Sequence, residues 1–372
     1  MQTGALTEVA GPAQHGVEEP AGADSRRRIG GPPALLRRVA RSPFFPIWPA
    51  TALLFAVSPL IDPGSLRSSA LVSTLPFAAL LAIASFGQTL VIQQRGLDLS
   101  VPGMISLGAI LITKYPNQSN SGLLGGIGLV VLACVLSGLV SGFCVTRLRI
   151  TPLVATLGVN ALLLGTIIEI SNGTSTTAPP PALVGFAFGK TAGIPNTVYV
   201  AGGVAIVLAF LVRRTVAGRR FVAVGTNAPA AYVAGIGVDG YVWATYVVAS
   251  LFYGLAAVLV AGYVGTPGLS AGNNYLLPSI TAVVLGGASL AGGSGSLIGT
   301  AIGALFLTQL QQDVFGAGAP TSVQYLIQAG VIALAMALRQ VHWRAAGASL
   351  ARRSARLRRA VAPRPSVSHT PS

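Results

Sequence analysis

Few side chains in this sequence could do chemistry, and those few are scattered. Gln88 and Thr89 fall inside one long apolar stretch, Asn160 and Glu169 inside another. Amide, hydroxyl and carboxyl groups in such surroundings suit the passage of a polar solute, because a polar group inside a membrane is costly enough to be a functional candidate by default. Hydrogen bonding between helices accounts for each of them equally well when taken singly. Glu169, near the end of its stretch, has no series of buried Asp, Glu or His to relay a proton, which argues against a proton-coupled carrier.

Three patterns suggest enzymes or nucleotide sites and fail on chemistry. The segment from Gly185 to Thr191 is one residue short of a phosphate loop. The denser glycine run from Leu285 to Gly295 lacks the Lys that such a loop needs, since none follows Lys190. Gly268-Leu269-Ser270-Ala271-Gly272 fits a nucleophile elbow, but that elbow needs a strand-to-helix turn and a His partner. The histidines are His15, His342 and His369, all near the chain ends, so no Ser–His pair assembles. Cys134 and Cys144 lie about 15 Å apart if helical at 1.5 Å per residue, too far to pair, and two thiols alone hold no metal. Neither a cofactor nor a metal is expected.

The elements that carry these residues follow from composition. The 372 residues are 52% hydrophobic and only 9% charged, with a mean hydropathy of +0.70. So little polar surface cannot enclose a soluble domain of this length, and the fold class is all-α, a polytopic membrane helical bundle. The net charge of +15 sits in tails and a few loops without interleaved aromatics, which argues for orientation in a bilayer and against nucleic acid.

Ten segments are apolar enough to span: Ile47 to Ile61, Leu71 to Ile92, Val101 to Thr113, Leu123 to Val145, Pro152 to Ile170, Thr197 to Val212, Tyr241 to Tyr263, Tyr275 to Leu290, Leu297 to Leu310 and Val323 to Leu338. Of 24 Lys and Arg residues, this map leaves only Arg67, Lys114 and Lys190 outside, so both termini are expected in the cytoplasm. Residues 1–43 read as a disordered basic tail, 44–340 as the transmembrane domain, and 341–372 as a second basic tail whose Leu350 to Arg359 stretch suits an anionic lipid leaflet. The third segment is short for a hydrocarbon core about 30 Å thick, so Gln93 to Ser100 are expected to feed it as irregular chain facing the bundle interior. Asp98 or Ser100 is expected to cap the helix that follows. Gly295, Gly299 and Gly303 form a small-residue stripe on one face, and Gly122 with Gly126 and Gly138 with Gly142 repeat the device.

Between the sixth and seventh segments, Arg219 to Ile236 is too polar to span and too apolar for an idle linker. Asn227 and Pro229 can start one short helix over Ala230 to Ala234, which Gly235 ends. Ala230, Ala231 and Ala234 would let a second protein's groove approach the backbone, with Tyr232, Val233 and Ile236 as apolar contacts. An amphipathic loop resting on lipid is the plainer alternative.

Here a family resemblance becomes specific. Gly225, Asn227, Ala230, Ala231, Gly235 and Ile236 resemble the cytoplasmic coupling loop of ribose-type (simple-sugar) ABC importer permeases, although Ala228 and Pro229 stand where that family usually carries two acidic residues. Gly96, Asp98 and Ser100, within Gln94 to Val101, are similar to its Gly-Ile-Asp-Leu-Ser-Val-Gly signature. Gly286, Gly287, Ser289, Gly292, Gly293 and Gly295 match its Gly-Gly-x-Ser-Leu-x-Gly-Gly-x-Gly run, and Arg147 to Gly158 looks like its fifth-span approach. The resemblance extends from about Gly87 to Leu338. It implies a permease subunit moved by separate ABC ATPase subunits, paired with a second permease copy or paralogue, and fed by an extracytoplasmic solute-binding protein. The alternative is an ATP-independent secondary transporter of a small polar solute.

Overall fold

A chain surrounded by lipid must satisfy its backbone hydrogen bonds internally, so long apolar runs become helices. The computed structural model describes residues 46–174 and 177–340, all of which fall in one compact unit. The helices are α1 (Ile47–Ile61), α2 (Ser68–Gln93), α3 (Val101–Lys114), α4 (Leu123–Thr146), α5 (Pro152–Ser171), α6 (Pro181–Phe188), α7 (Asn196–Arg214), α8 (Val216–Thr226), α9 (Ala228–Val233), α10 (Val238–Val264), α11 (Asn273–Leu285), α12 (Leu297–Gly316) and α13 (Thr321–Gln340). A two-residue hairpin, with Lys190 opposite Pro195 and Thr191 opposite Ile194, follows α6. The helices α2, α4, α5, α7 and α10 are long and apolar enough to cross a membrane, and α1 and α3 are shorter apolar helices. The two tail segments, with Leu350 to Arg359, lie outside the described residues.

α2 is the axis of the bundle. It packs against α12, α10, α11 and α7, and from Ala78 to Gln93 every residue is buried. α3 is buried throughout Val101 to Thr113. Its 14 residues rise only about 21 Å at 1.5 Å each. The chain feeding it is irregular, as expected, and buries Gln93, Gly96, Asp98 and Ser100.

The expected cap of α3 is corrected. Ser100 occupies the cap position, but no side chain there bonds the helix. Asp98 Oδ1 instead accepts the Ser100 N–H at 2.9 Å and the Ser100 hydroxyl at 2.6 Å, which turns both groups back on the loop. The free helix N–H of Gly103 goes to Asn160 Oδ1 of α5 at 2.8 Å, so the capping oxygen comes from another helix.

Two further boundaries differ from expectation. The eighth segment is a half-length helix: α10 ends at Val264, Gly265 takes a φ of +82°, and the chain returns to the start of α3 before α11 begins. There the Gly272 N–H donates to Ser106 Oγ at 2.9 Å, and a Cβ on Gly272 would press on the Pro102 backbone. The ninth segment runs on to Gly316, which carries Gln309 and Asp313 into the bundle. Asp313 is fully buried, with Oδ2 accepting from Ser58 Oγ of α1 at 2.6 Å and Oδ1 from Gln309 Nε2 at 2.8 Å. Buried carboxyl groups are therefore present at Asp98, in the stretch expected to face the interior, and at Asp313, beyond the expected end of the ninth segment.

Small residues make the seams. A Cβ on Gly286 of the α11 end would lie 2.5 Å from the Gly299 carbonyl carbon, and Gly303 abuts the Ala282 carbonyl in the same way. Gly295 leaves this stripe and faces the Gln93 side chain of α2. Gly138 and Gly142 of α4 admit Val247 and the Trp243 ring of α10, and the Trp243 indole N–H reaches the Leu139 carbonyl at 2.9 Å.

Candidate functional site

The segment after α7 folds as two helices, where one was expected. Thr215 caps α8 by accepting the Gly218 N–H at 3.0 Å. Asn227 caps α9 by accepting the Ala230 N–H at 3.1 Å, with Pro229 in the first turn where its missing N–H costs nothing. α9 starts at Ala228, two residues before the expected Ala230. Gly235 ends it in the left-handed region at φ +78°, and the Gly235 and Ile236 N–H groups close on the Tyr232 and Ala231 carbonyls at 2.9 and 3.0 Å. One face of this turn points away from the chain: Tyr232 and Val233 are 74% and 87% exposed, and Ala230 and Ala234 are exposed beside them. Ala231, expected on that outward face, is buried against its own bundle.

The root of this segment is locked to two distant loops. Arg95, just past α2, donates from Nε to the Gly225 carbonyl at 3.0 Å and from Nη2 to the Thr226 carbonyl, which ends α8 with a charged cap. Gln94 Nε2 donates to the Phe221 carbonyl at 2.8 Å. The Gln93 carbonyl accepts the Gly293 N–H at 2.9 Å, and Gly225 lies so close to that carbonyl that a Cβ would overlap it. Gly292 admits the Arg95 side chain, and a Cβ on Gly293 would lie 2.8 Å from Thr226 Oγ1. Within the run, Ser289 closes the turn through its N–H to the Ser294 carbonyl at 3.0 Å and its hydroxyl to the Ala291 N–H at 3.2 Å. Three segments that are far apart in sequence, 93–95, 225–226 and 292–295, thus form one junction at the C-terminal end of α2. The Arg95 guanidinium is taken up by carbonyls, and the glycine run serves the junction as a packing device.

The four expected path residues do not converge. Gln88 is fully buried and accepts the Tyr253 hydroxyl at 3.1 Å, while Thr89 is fully buried and shares a hydrogen bond with Thr300 at 3.0 Å. Asn160 is held by Gly103 across α3, and Glu169 is exposed near the end of α5. These contacts tie helices together.

A cavity of about 540 Å³ lies elsewhere, toward the opposite end of α2 from Arg95. Asn273 and Asn274 from the start of α11 line it, with Gln311 and Gln312 of α12 and the rings of Phe315 and Tyr325. Sequence reasoning passed over these amides. Their signal was the doubling, Asn-Asn and Gln-Gln, at the ends of apolar runs. Among the described residues no group of three His, Cys, Asp or Glu side chains is placed to hold a metal.

Comparison with known proteins fits this arrangement. The family described as branched-chain amino acid transport system / permease component matches residues 70–336. The ribose import permease protein RbsC of Escherichia coli K12 is 32% identical over 292 residues, covering 77% of this chain and 90% of that protein. The autoinducer 2 import system permease protein LsrD of Photorhabdus laumondii is 31% identical over 277 residues, covering 73% and 83%. LsrD of Escherichia coli O9:H4 is 32% identical over 267 residues, covering 70% and 81%. No solved structure matches the chain.

Proposed function

Since this chain belongs to the branched-chain amino acid transport system / permease component family, we propose that it is the membrane-spanning subunit of an ABC importer for a sugar or sugar-like small molecule. It is a multi-pass membrane protein and carries no engine of its own in this reading. ABC ATPase subunits dock on the exposed face of α9, an extracytoplasmic binding protein delivers solute to the other side, and a second permease copy or paralogue completes the pore. The sugar class comes from the relatives named for ribose and autoinducer 2 import.

The observation that carries the reading is the coupling segment itself. Its tip, Tyr232 and Val233, is exposed, and its root is bonded to the end of the central helix through Arg95. A partner that pulls on the tip thereby moves α2. The ten-span map, with both termini cytoplasmic and the transmembrane domain bounded near residues 44 and 340, puts this segment on the side where ATP is found. A proton-driven carrier needs a relay, whereas the two buried carboxyl groups sit in separate networks, Asp98 Oδ1 with Ser100, and Asp313 with Ser58 and Gln309.

The test is co-purification. Val233→Asp changes an exposed residue, so the permease is expected to fold and to lose its ATPase subunits. Labelling at Gly235→Cys with an impermeant maleimide checks the side: reaction in inside-out vesicles only is expected, and reaction in intact cells would falsify the orientation.

A further inference from the structure

We infer that the cavity between the end of α10, the start of α11 and the second half of α12 is the chamber that holds the solute, built for an uncharged polyhydroxyl molecule. The inference rests on the importer reading and adds the place and the groups.

Position comes first. The chain from Gly265 to Gly272 is irregular and descends to the level of Pro102 and Ser106, which belong to a fully buried helix. Irregular backbone at such depth is tolerated only inside protein or beside a polar cavity, and interrupted helices of this kind mark solute sites in transporters. α11 therefore begins at the cavity floor and presents Asn273 and Asn274 there. The facing wall is α12, where Gln311 and Gln312 lie about 20 Å from the helix start at 1.5 Å per residue.

Chemistry comes second. Elsewhere in the bundle one end of each amide is engaged in tying helices together: Gln88 Oε1 with Tyr253, Asn160 Oδ1 with Gly103 and Gln309 Nε2 with Asp313. The side chains of Asn273, Asn274, Gln311 and Gln312 line the cavity, the two asparagines exposed and the two glutamines half-buried, so their amides are open to whatever fills it. Each amide both donates and accepts, which matches a hydroxyl that does the same. Phe315 and Tyr325 add flat apolar faces suited to the C–H side of a sugar ring. No Asp, Glu, Lys or Arg is among the described residues that line the cavity. A zwitterionic amino acid would leave both charges unpaired there, which is far costlier than an unpaired hydroxyl. At about 540 Å³ the volume falls in the usual small-ligand range of about 300–1,000 Å³.

The experiment measures uptake of radiolabelled ribose and, separately, leucine by vesicles holding the permease with its ATPase and binding protein. Gln311→Leu and Asn274→Leu are expected to slow ribose uptake about tenfold each, the worth of one lost hydrogen bond to the solute, with ATPase retention unchanged. Either variant importing ribose at the wild-type rate overturns the chamber and leaves the importer reading standing. Wild type importing leucine but not ribose overturns the uncharged class and the sugar reading together. A second readout uses Gln311→Cys with Cys134→Ala and Cys144→Ala. An impermeant maleimide added to intact cells is expected to block ribose uptake by this variant, and undiminished uptake after exposure overturns a chamber that faces outward.

Discussion

Arg95 caps a helix 130 residues away. Its Nε reaches the Gly225 carbonyl at 3.0 Å and its Nη2 the Thr226 carbonyl, from a backbone in the left-handed region at φ +64°. A non-glycine residue pays for that conformation, and the guanidinium is what the junction gains. The pair joins the segment proposed to meet the ATPase to the helix at the centre of the bundle.

Replacing Arg95 therefore separates power from transport. Arg95→Ala loses two charge-assisted hydrogen bonds, worth about 1.5–3 kcal/mol each, and is expected to cut solute uptake at least about tenfold. ATPase co-purification stays at the wild-type level, because the exposed face of α9 is untouched. Arg95→Lys is expected to recover only part of the loss, since an ammonium lacks the fork that spans two carbonyls. Equal uptake by all three proteins in reconstituted vesicles counts against the junction as a mechanical link.

At Gly225 the fault is steric. A single methyl there meets the Gln93 carbonyl, which is backbone and has no rotamer to yield. Gly225→Ala is expected to destabilise by about 1–3 kcal/mol, the usual range for overpacking, and Gly225→Val by more. The readout is the midpoint of thermal unfolding in detergent, and an unshifted midpoint for Gly225→Val refutes the close packing.

Asp313 gives a graded series. Asp313→Ala removes the short acceptor of Gln309 and one of two acceptors of Ser58, which keeps the Leu54 carbonyl, at about 1–3 kcal/mol for the buried amide left underbonded. Asp313→Asn keeps an oxygen for one of them and should cost less. The order wild type, Asn, Ala in thermal midpoint is expected, and Ala as stable as wild type shows the network between α1 and α12 to be idle.

What the sequence revealed and what it hid have physical causes. Helices such as α4 and α5 were legible because apolar runs are bounded by Arg147 and Pro152, where charge and a fixed φ force the change. The end of α12 was read too early, since Gln309 to Asp313 look like an exit into water. Their burial becomes affordable only through Ser58, some 250 positions away, which no local pattern announces. α11 was read too long for a similar reason. Gly286 and Gly287 extend an apolar run, but the chain turns there, with Gly287 at φ +93°. The coupling turn was visible in Asn227, Pro229 and Gly235, each a local signal. Its inward half was not, and Ala231 was placed on the wrong side because one turn of alanines has no apolar asymmetry to read. The meeting of residues 93–95, 225–226 and 292–295 rests largely on missing side chains, and absent atoms leave no pattern in composition.

At the Gln93 carbonyl the junction meets Gly225 and Gly293 through main-chain atoms, and there nothing can be trimmed or enlarged by a carbon at a time. Such a joint admits no intermediate settings. A side chain added at Gly225 meets that main chain at once, whereas Tyr232 and Val233 stand exposed and can be exchanged while the joint behind them keeps its shape.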